Sequence, residues 1–494
     1  MRYISTRGGE AEGVSSAYAI KTGLAGDKGL YMPANIPSIT LSEIENLINS
    51  SYPQRAAAIL SKYLSDYSFD ELLADAEEAY SAGRFYDFPA KLTDMKDANY
   101  MLELWHGPTC AFKDMALQIM PRLFVRALRK CGEKRTALIL VATSGDTGKA
   151  ALEGYRDVDG TKIKVFYPIS GVSRVQKLQM QTQLGKNVSV TGIEGNFDDA
   201  QSGVKDIFAN TEYAEELNRG NVFLSSANSI NWGRLVPQIV YYVSAYCDMV
   251  KCGAIALGEK IDVCVPTGNF GNIFACYLAK LMGTPIGTLI CASNKNDVLT
   301  EFLRTGVYDK NRIFHTTISP SMDILISSNL ERLLFVTLGA EKTAKYMDKL
   351  AKYGKYELEE DDLAKISCDF VGYSADEDET ARTIKEVYKN KNCLIDPHTA
   401  VAFSATRQYT EANKAERKIL TVSTASAYKF ASDVYASLTG THPTDELEAL
   451  PMLEAMTGEP IPLPLRELGK KEALHTSVIA KADMKDSVSE FAKG

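Results

Sequence analysis

The feature that most constrains the fold is a strand, a glycine-containing loop and a helix in immediate succession, which occurs twice. The first copy runs from the apolar stretch Thr136–Ala142 through Ser144-Gly145-Asp146-Thr147-Gly148 into a helix-forming segment. The second runs from Ile261–Val265 through Pro266-Thr267-Gly268-Asn269-Phe270-Gly271-Asn272 into a helix at Ile273–Met282. Unpaired N–H groups at such helix N-termini bind anions, and glycine permits close approach. Together the loops predict a phosphate or cofactor site, although each alone is compatible with a plain turn.

Further strand and helix patterns alternate around these two loops. Strands are predicted at Lys162–Tyr167, Val188–Thr191 and Ile419–Val422, and helices at Ser173–Leu184 and Asp198–Phe208. Repeated βα units predict an α/β fold in which parallel or mixed sheets carry helices on both faces. Ligands of such sheets gather at the carboxyl ends of strands, where both glycine loops lie.

The length of 494 residues predicts about three units. We expect an N-terminal unit at 1–95, an α/β domain at 96–250 with the first glycine loop, and an α/β domain at 251–494 with the second. Within the domain at 251–494, residues 297–378 are predicted to form a helical, charged and peripheral insertion. The proline-rich stretch 459–465 is predicted to be an extended surface segment.

Charge and composition exclude several functions. A net charge of −8 argues against nucleic acid or an anionic membrane as the main partner, so a phosphate site must be a local basic pocket. The nine cysteines are scattered without a Cys-x-x-Cys pair, which favours reduced thiols. Five dispersed histidines form no metal-binding pattern. Without a signal peptide or a membrane span, we expect a cytoplasmic protein.

One lysine stands out chemically. Lys113 follows the turn-forming His106-Gly107-Pro108-Thr109 and is surrounded in sequence by Ala111, Phe112 and Met115. Burial among apolar groups lowers the pKa of a lysine and frees a nucleophilic amine suited to Schiff-base chemistry. The same segment is also compatible with a lysine that reaches solvent from a half-buried helix.

A third polar stretch, Ser225–Arg234, is rich in hydroxyl and amide donors. Such donors can clamp a phosphate or a carboxylate, but ordinary helix capping beside a solvated arginine gives the same pattern. A nucleotide-binding P-loop is disfavoured, because the Gly145 to Lys149 spacing is too short and Ala150 replaces the magnesium-binding hydroxyl. An ATP-binding protein is therefore a weak alternative.

Taken together, these stretches resemble the threonine synthase family, pyridoxal-phosphate enzymes of the tryptophan-synthase-β fold type (fold type II). The resemblance extends from Gly29-Leu30-Tyr31-Met32-Pro33 to Ser423-Thr424-Ala425 and so covers most of the chain. The matching motifs are His106-Gly107-Pro108-Thr109 with Ala111-Phe112-Lys113-Asp114, Ser144-Gly145-Asp146-Thr147-Gly148, Asn228-Ser229-Ile230-Asn231 and Pro266-Thr267-Gly268-Asn269-Phe270-Gly271-Asn272.

The resemblance implies pyridoxal 5′-phosphate as cofactor. Lys113 would hold it as a Schiff base, and Asp146 stands where relatives often carry an Asn beside the phenolic oxygen. Thr424 would offer a hydroxyl to the pyridine nitrogen. The residues expected to cradle the 5′-phosphate are Gly268, Asn269, Phe270, Gly271 and Asn272. One departure from the family is Ser426-Ala427, where the family usually has His-Pro.

The implied reaction converts O-phospho-L-homoserine and water to L-threonine and phosphate, the last step of threonine biosynthesis. For the substrate phosphate we propose Ser144, Thr147, Asn231 and Arg234, with Lys149 as an outer candidate. Two alternatives remain: a phospho-lyase or dehydratase acting on a related amino acid, and a silent paralogue that binds the cofactor. The sequence leaves the oligomeric state open.

Overall fold

The computed structural model describes residues 1–10, 12–414 and 416–493. Its strands form where apolar runs are bounded by glycine- and proline-rich turns. They are β1 Tyr3–Ser5, β2 Tyr31–Pro33, β3 Lys91–Asp94, β4 Asn99–Glu103, β5 Thr136–Ala142, β6 Thr161–Pro168, β7 Val188–Ile193, β8 Val222–Ser225, β9 Ile261–Pro266, β10 Ile286–Ser293, β11 Val307–Asp309, β12 Lys355–Glu357, β13 Phe370–Ser374, β14 Ile419–Ser423 and β15 Val478–Ile479.

Helices connect the strands and cover the sheets. Among those of the described residues, none is both long and apolar enough to cross a membrane. They are α1 Ser16–Thr22, α2 Leu41–Leu47, α3 Tyr52–Tyr63, α4 Phe69–Ala79, α5 Lys113–Leu117, α6 Met120–Lys130, α7 Asp146–Tyr155, α8 Arg174–Gln181, α9 Phe197–Ala209, α10 Thr211–Arg219, α11 Trp232–Lys251, α12 Gly271–Met282, α13 Val298–Thr305, α14 Leu330–Leu338, α15 Ala340–Tyr353, α16 Glu360–Ser367, α17 Glu377–Lys391, α18 Pro397–Asn413, α19 Ala431–Thr439, α20 Ala449–Thr457, α21 Leu463–Arg466 and α22 Met484–Lys493. The short 3₁₀ helices are Pro320–Met322, Ala427–Phe430, Leu468–Lys470 and Lys481–Asp483.

One sheet has five strands in the order β15-β7-β6-β5-β8, and every neighbouring pair is parallel. Residues 137–141 of β5 are buried on both faces of this sheet. That burial explains the unbroken apolar sequence of β5, because a parallel strand covered on both sides has no polar face. The predicted α/β class with parallel sheets is confirmed.

The second sheet has six strands in the order β13-β10-β9-β14-β4-β3, parallel except for the antiparallel edge strand β3. Every residue of β9 and β14 is buried. Two strands do not belong to the sheet that their position in the chain suggests. Strand β4 follows the N-terminal unit yet pairs with β14, and β15 near the C-terminus pairs with β7. The division at 95 and 250 therefore stays a prediction.

The N-terminal unit packs into the core through α11, which is buried along most of its length. The ring of Trp232 in α11 lies 5.4 Å from that of Tyr3 and 5.6 Å from that of Tyr63. Arg55 of α3 is also buried and pairs with Asp248 of α11 at 2.7 Å. This unit is part of the scaffold that holds α11 in place.

The prediction that 297–378 is peripheral is wrong. Strand β13 pairs with β10 as the edge of the six-stranded sheet. The short helix Pro320–Met322 brings Ser321 within 3.0 Å of the Lys113 Nζ. The helices in this stretch carry many charged residues, but the segments between them pack inward. The charged composition therefore wrongly predicts that the whole stretch is peripheral.

The prediction of an extended surface segment at 459–465 is wrong as well. Ile461 and Leu465 are buried in a hydrophobic cluster with Tyr428. The chain forms the short helix α21 from Leu463, with a proline in its first turn, where a missing N–H costs nothing. The prolines here start a helix instead of extending the chain.

Gly154 in α7 provides a test of how tightly α7 packs on α5. A Cβ at this position would lie 1.9 Å from the Leu117 carbonyl oxygen, at the end of the helix that begins with Lys113. Helix propensity alone predicts that Gly154→Ala stabilises the protein by about 1 kcal/mol. We expect the opposite, a loss of about 1–3 kcal/mol from overpacking. Urea unfolding measures the change.

Gly26→Ala is the matched control, because a Cβ there meets nothing within 4 Å. We expect this variant to unfold within about 0.5 kcal/mol of the parent protein. A Gly154→Ala protein as stable as the parent would contradict the close packing of α5 and α7.

Candidate active site

Lys113 is the first residue of α5, and the turn before it is fixed by hydrogen bonds to the end of β14. The Phe112 N–H donates to the Thr424 carbonyl oxygen at 2.8 Å. Asp114 accepts from both the backbone N–H and the hydroxyl of Thr109, each at 2.8 Å. These bonds satisfy polar groups that the fold buries, so they hold the lysine in one position.

The Lys113 amine lies in a buried polar pocket. Its Nζ donates to the Asp146 Oδ2 at 3.2 Å and to the Ser321 Oγ at 3.0 Å, and its side chain is 11% exposed. Burial lowers the pKa of Lys113; Asp146 opposes that change, while Lys429 and Arg234 add to it. The side chain therefore does not reach into solvent, and its amine is prepared to react as a nucleophile.

Asp146 follows the sharp turn at Gly145 and opens α7. Its Oδ1 accepts from the Lys429 Nζ at 2.8 Å and from the Gln176 Nε2 at 2.8 Å. Burial alone would raise the pKa of this carboxyl, but Lys113 and Lys429 hold it well below its usual value. Asp146 is therefore an ionised carboxylate with a lysine on each side.

The segment after β14, in which Ser426 and Ala427 were noted in the sequence, forms a short capped helix that positions Lys429. The Ser426 hydroxyl caps the short helix Ala427–Phe430 by accepting from the Tyr428 N–H at 3.3 Å. This cap sets the turn that delivers Lys429, whose fully buried Nζ also donates to the Thr109 carbonyl oxygen at 2.9 Å. Thr424, at the start of the segment, is buried beside the Lys113 turn.

The loop after β9 has the features of an anion site. Phe270 adopts a left-handed conformation, with φ of 61°, and α12 begins at the next residue. Asn272 is buried, and its Oδ1 accepts from the hydroxyls of Tyr241 and Tyr242 at 2.5 and 2.6 Å. Its Nδ2 has no hydrogen-bond acceptor among the described residues. A buried donor at a helix N-terminus fits a phosphate oxygen.

At Gly268 in this loop, a backbone contact leaves no space for a side chain. A Cβ on Gly268 would lie 2.6 Å from the Ser321 carbonyl oxygen. The Asn269 carbonyl oxygen accepts from the Asn329 backbone N–H and side-chain amide at 3.1 and 2.9 Å. The loop is thus tied to the stretch that also carries Ser321.

Two of the predicted substrate ligands lie together. The Arg234 guanidinium donates to the Thr147 hydroxyl at 3.4 Å and to the Ala227 carbonyl oxygen at 2.8 Å. Burial lowers the pKa of Arg234 to about 10, and no described carboxylate pairs with it. An unpaired buried guanidinium fits an anionic ligand. Ser144 is exposed in the same loop as Thr147.

The other two predicted ligands are engaged elsewhere. The Asn231 side chain caps α11 through the Gly233 N–H at 2.8 Å and donates to the Ile20 carbonyl oxygen at 2.9 Å. Lys149 is buried, donates to Gln183, and pairs with Glu153 at 3.2 Å. The structure therefore favours Arg234 and Thr147 over Asn231 and Lys149, and all five assignments, Ser144 included, stay predictions.

Three residues at the site escape sequence analysis: Ser321, Gln176 and Lys429. Ser321 is 208 positions from Lys113 and lies in a stretch with no motif. Gln176 sits inside a predicted helix, where glutamine is ordinary. Lys429 follows shortly after Ser426, and in the sequence only its apolar neighbours Tyr428 and Phe430 indicate that it is buried.

Comparisons with known proteins agree on one family. A family model described as pyridoxal-phosphate dependent enzyme matches residues 96–425, and one described as threonine synthase N terminus matches residues 2–80. The threonine synthase of Pseudomonas aeruginosa is 41% identical, covering 83% of this chain and 84% of that protein. Threonine synthase-like 1 of Homo sapiens is 41% identical over 78% of this chain and 53% of its own length. The PLP-bound threonine synthase of Brucella melitensis superimposes with a TM-score of 0.88 at 36% identity, covering 100% of both chains.

Lys429→Met tests the charge balance of the site. The change removes one of two ammonium groups from a buried carboxylate, so we expect the free energy of unfolding at pH 7 to fall by about 3 kcal/mol. Because the folded pKa of Asp146 is depressed, its stabilisation is present above the unfolded pKa and lost as the pH falls through the folded pKa. The variant raises that folded pKa towards the unfolded one, so we expect it to lose less stability than the parent protein as the pH falls.

Urea unfolding between pH 7 and pH 3 measures both effects, because the stabilisation by Asp146 is lost below the unfolded pKa of an aspartate. The exposed Lys260, changed to methionine, is the control, and we expect it to follow the parent protein at every pH. A Lys429→Met protein with the parent acid profile would show that Lys429 does not hold Asp146 ionised.

Proposed function

This chain belongs to the threonine synthase family of pyridoxal-phosphate-dependent enzymes, and from that premise we propose which of its residues perform the reaction. It synthesises threonine with pyridoxal 5′-phosphate as cofactor and acts on a small phosphorylated amino acid. In our proposal the substrate is O-phospho-L-homoserine, which reacts with water to give L-threonine and phosphate. The observation that carries the site assignment is the buried Lys113 amine between Asp146 and Ser321.

The residues present fit the cofactor. When bound, pyridoxal phosphate delocalises the negative charge that develops at the substrate carbon next to the amine. Lys113 would hold it covalently, and the loop 268–272 would hold its 5′-phosphate, for which the buried Asn272 Nδ2 is an unpaired donor. The hydroxyl of Thr424 would face the pyridine nitrogen. Asp146 and Lys429 pair at 2.8 Å and so add no net charge beside the ring.

Lys113 has a second role as a base. With its amine free, Lys113 would remove the α proton of the bound substrate. A lysine in water is almost wholly protonated at neutral pH, but burial lowers the pKa of Lys113 and increases the neutral fraction. Asp146 and Ser321 hold the Lys113 amine in place, at 3.2 and 3.0 Å.

A substrate phosphate needs its own positive group in a protein of net charge −8. We assign this role to Arg234, because its guanidinium is buried and lacks a carboxylate among the described residues. The Thr147 hydroxyl 3.4 Å away supplies a further donor, and the exposed Ser144 lies in the same loop. Asn231 supports the clamp by fixing the start of α11, and Lys149 lies outside it.

The alternatives use the same lysine and differ in the product. A phospho-lyase or dehydratase would give a 2-oxo acid, and a silent paralogue would bind the cofactor without turnover. An assay that follows phosphate release and threonine formation from O-phosphohomoserine separates all three. From the net charge of −8 we infer that neither nucleic acid nor an anionic membrane is a partner.

Lys113→Ala tests the covalent assignment. We expect the purified parent protein to absorb visible light, and borohydride to fix the cofactor on the peptide that contains Lys113. The variant loses the borohydride adduct, and its rate of threonine formation falls at least about a thousandfold because both anchor and base are gone. Mass mapping and a turnover assay give the two readouts. An adduct on another lysine of the parent protein would overturn the assignment.

Arg234→Ala tests the phosphate clamp. A hydrogen bond to a charged group contributes about 1.5–3 kcal/mol, so we expect KM for O-phosphohomoserine to rise by about tenfold to a hundredfold. The affinity for an analogue without the phosphate should change far less. Arg129→Ala removes an exposed arginine of α6 and serves as the control. An unchanged KM in Arg234→Ala would place the clamp elsewhere.

A further inference from the structure

Asp396 and His398 form a buried pair whose role the proposed function leaves unassigned. The Ser321 backbone N–H donates to the His398 Nε2 at 3.1 Å, so this nitrogen carries no proton. The proton is on Nδ1, which lies 2.6 Å from the Asp396 Oδ2. His398 is thus a neutral imidazole in one fixed tautomer, with Asp396 as its orienting carboxylate.

The acceptor nitrogen of His398 holds the residue that contacts Lys113. The Ser321 Oγ is 3.0 Å from the Lys113 Nζ and donates to the Asp146 Oδ2 at 3.3 Å. Because the hydroxyl proton points at Asp146, a lone pair of the oxygen faces the lysine amine. Ser321 therefore fixes the direction of an amine that has few other partners.

The rest of the Ser321 turn is held just as firmly from the other side. The Asn294 side-chain amide donates to the hydroxyls of Thr317 and Ser319 at 2.8 and 3.0 Å and to the Asp323 Oδ1 at 2.7 Å. The Thr317 N–H donates to the Asp323 Oδ2 at 3.0 Å. Between these anchored flanks, the His398 contact is made by the backbone N–H of Ser321 itself.

We propose that Ser321 is a further catalytic residue, whose hydroxyl orients the Lys113 amine, and that His398, held by Asp396, is the positioning residue that sets Ser321. This inference rests on the proposed function, because it assumes that Lys113 carries the reaction. The His398 ring packs edge-on against Phe430, 4.9 Å away, beside the turn that carries Lys429.

Orientation, and not proton storage, is the role the charges allow. A relay through Ser321 would have to leave the proton on Asp146, but Lys113 and Lys429 keep the pKa of Asp146 well below its usual value. The charged groups facing Lys113 are Asp146, Lys429 and Arg234, and those facing His398 are Asp396 and Asp323. Ser321 is the neutral member of this group, so its effect is directional.

Ser321→Ala in the holoenzyme tests the contact with Lys113. Losing a hydrogen bond to a charged amine should lower kcat by about tenfold to a hundredfold and leave KM within about twofold. The Ser321 oxygen favours the protonated form of the Lys113 nitrogen, so its removal should move the pH midpoint of the visible absorbance down by about one unit. Ser321→Thr keeps the hydroxyl and should recover most of both properties.

His398→Leu and His398→Gln test the positioning step. Leucine removes the acceptor for the Ser321 N–H, while the glutamine carbonyl oxygen can replace it. In both variants the Asp396 carboxylate can still accept hydrogen bonds from the backbone N–H groups of residues 399 and 398, which lie at 3.1 and 3.0 Å. We therefore expect both variants to fold. We expect His398→Leu to shift the absorbance midpoint as Ser321→Ala does and His398→Gln to shift it less. The double variant Ser321→Ala/His398→Leu should match Ser321→Ala, because one change acts through the other.

Ser319→Ala is the matched control, since it removes a hydroxyl of the same turn that bonds Asn294 and not Lys113. It should lower the unfolding midpoint and leave the absorbance midpoint in place. Additive effects in the double variant, or an unchanged midpoint and kcat in Ser321→Ala, would overturn the inference. A parent holoenzyme that forms no threonine would instead overturn the proposed function, so the two failures are distinguishable.

Discussion

Asp146 is buried between the ammonium groups of Lys113 and Lys429, at 3.2 and 2.8 Å, and the site is assembled around this carboxylate. A buried charge with one partner removed is strongly destabilising, so each of these three residues depends on the others. They come from α5, from the N-terminus of α7 and from the short helix after β14. The ion pairs thus connect the two sheets at the carboxyl ends of β5 and β14, and a fourth segment, with Ser321, closes the group.

The local parts of this site can be predicted from the sequence, and the non-local parts cannot. The loops after β5 and β9 were predicted because strand, glycine turn and helix follow one another within a few residues, and their physics is visible in any window. Ser321 contacts Lys113 across 208 residues, and Lys429 contacts Thr109 across 320. No periodicity reports such a contact, and neither residue type is unusual for its local structure.

The fold itself was predicted better than its connections. Strand β5 was expected at the residues where it forms, because a strand buried on both faces must be apolar throughout. Strands β4 and β15 lie in different sheets, and the sequence does not predict which sheet each one joins. Both strands are short, so either sheet could accept them. The contacts of residues 297–378 with the site cannot be predicted from composition either, because charged helices alternate with the segments that pack against the site.

Arg332 shows why the N-terminal unit is inseparable from the site. Its guanidinium is fully buried and donates to the carbonyl oxygens of Tyr31 at 3.3 Å and Ile230 at 2.6 Å, and to the Asn329 side chain. Asn329 in turn holds the loop that begins α12. One buried cation therefore joins strand β2, the start of α11 and the predicted phosphate loop through neutral carbonyl groups. If the segment with Tyr31 moved away as a lid, the buried guanidinium of Arg332 would lose one of its hydrogen-bond acceptors. We therefore infer that the N-terminal unit is a fixed wall of the site.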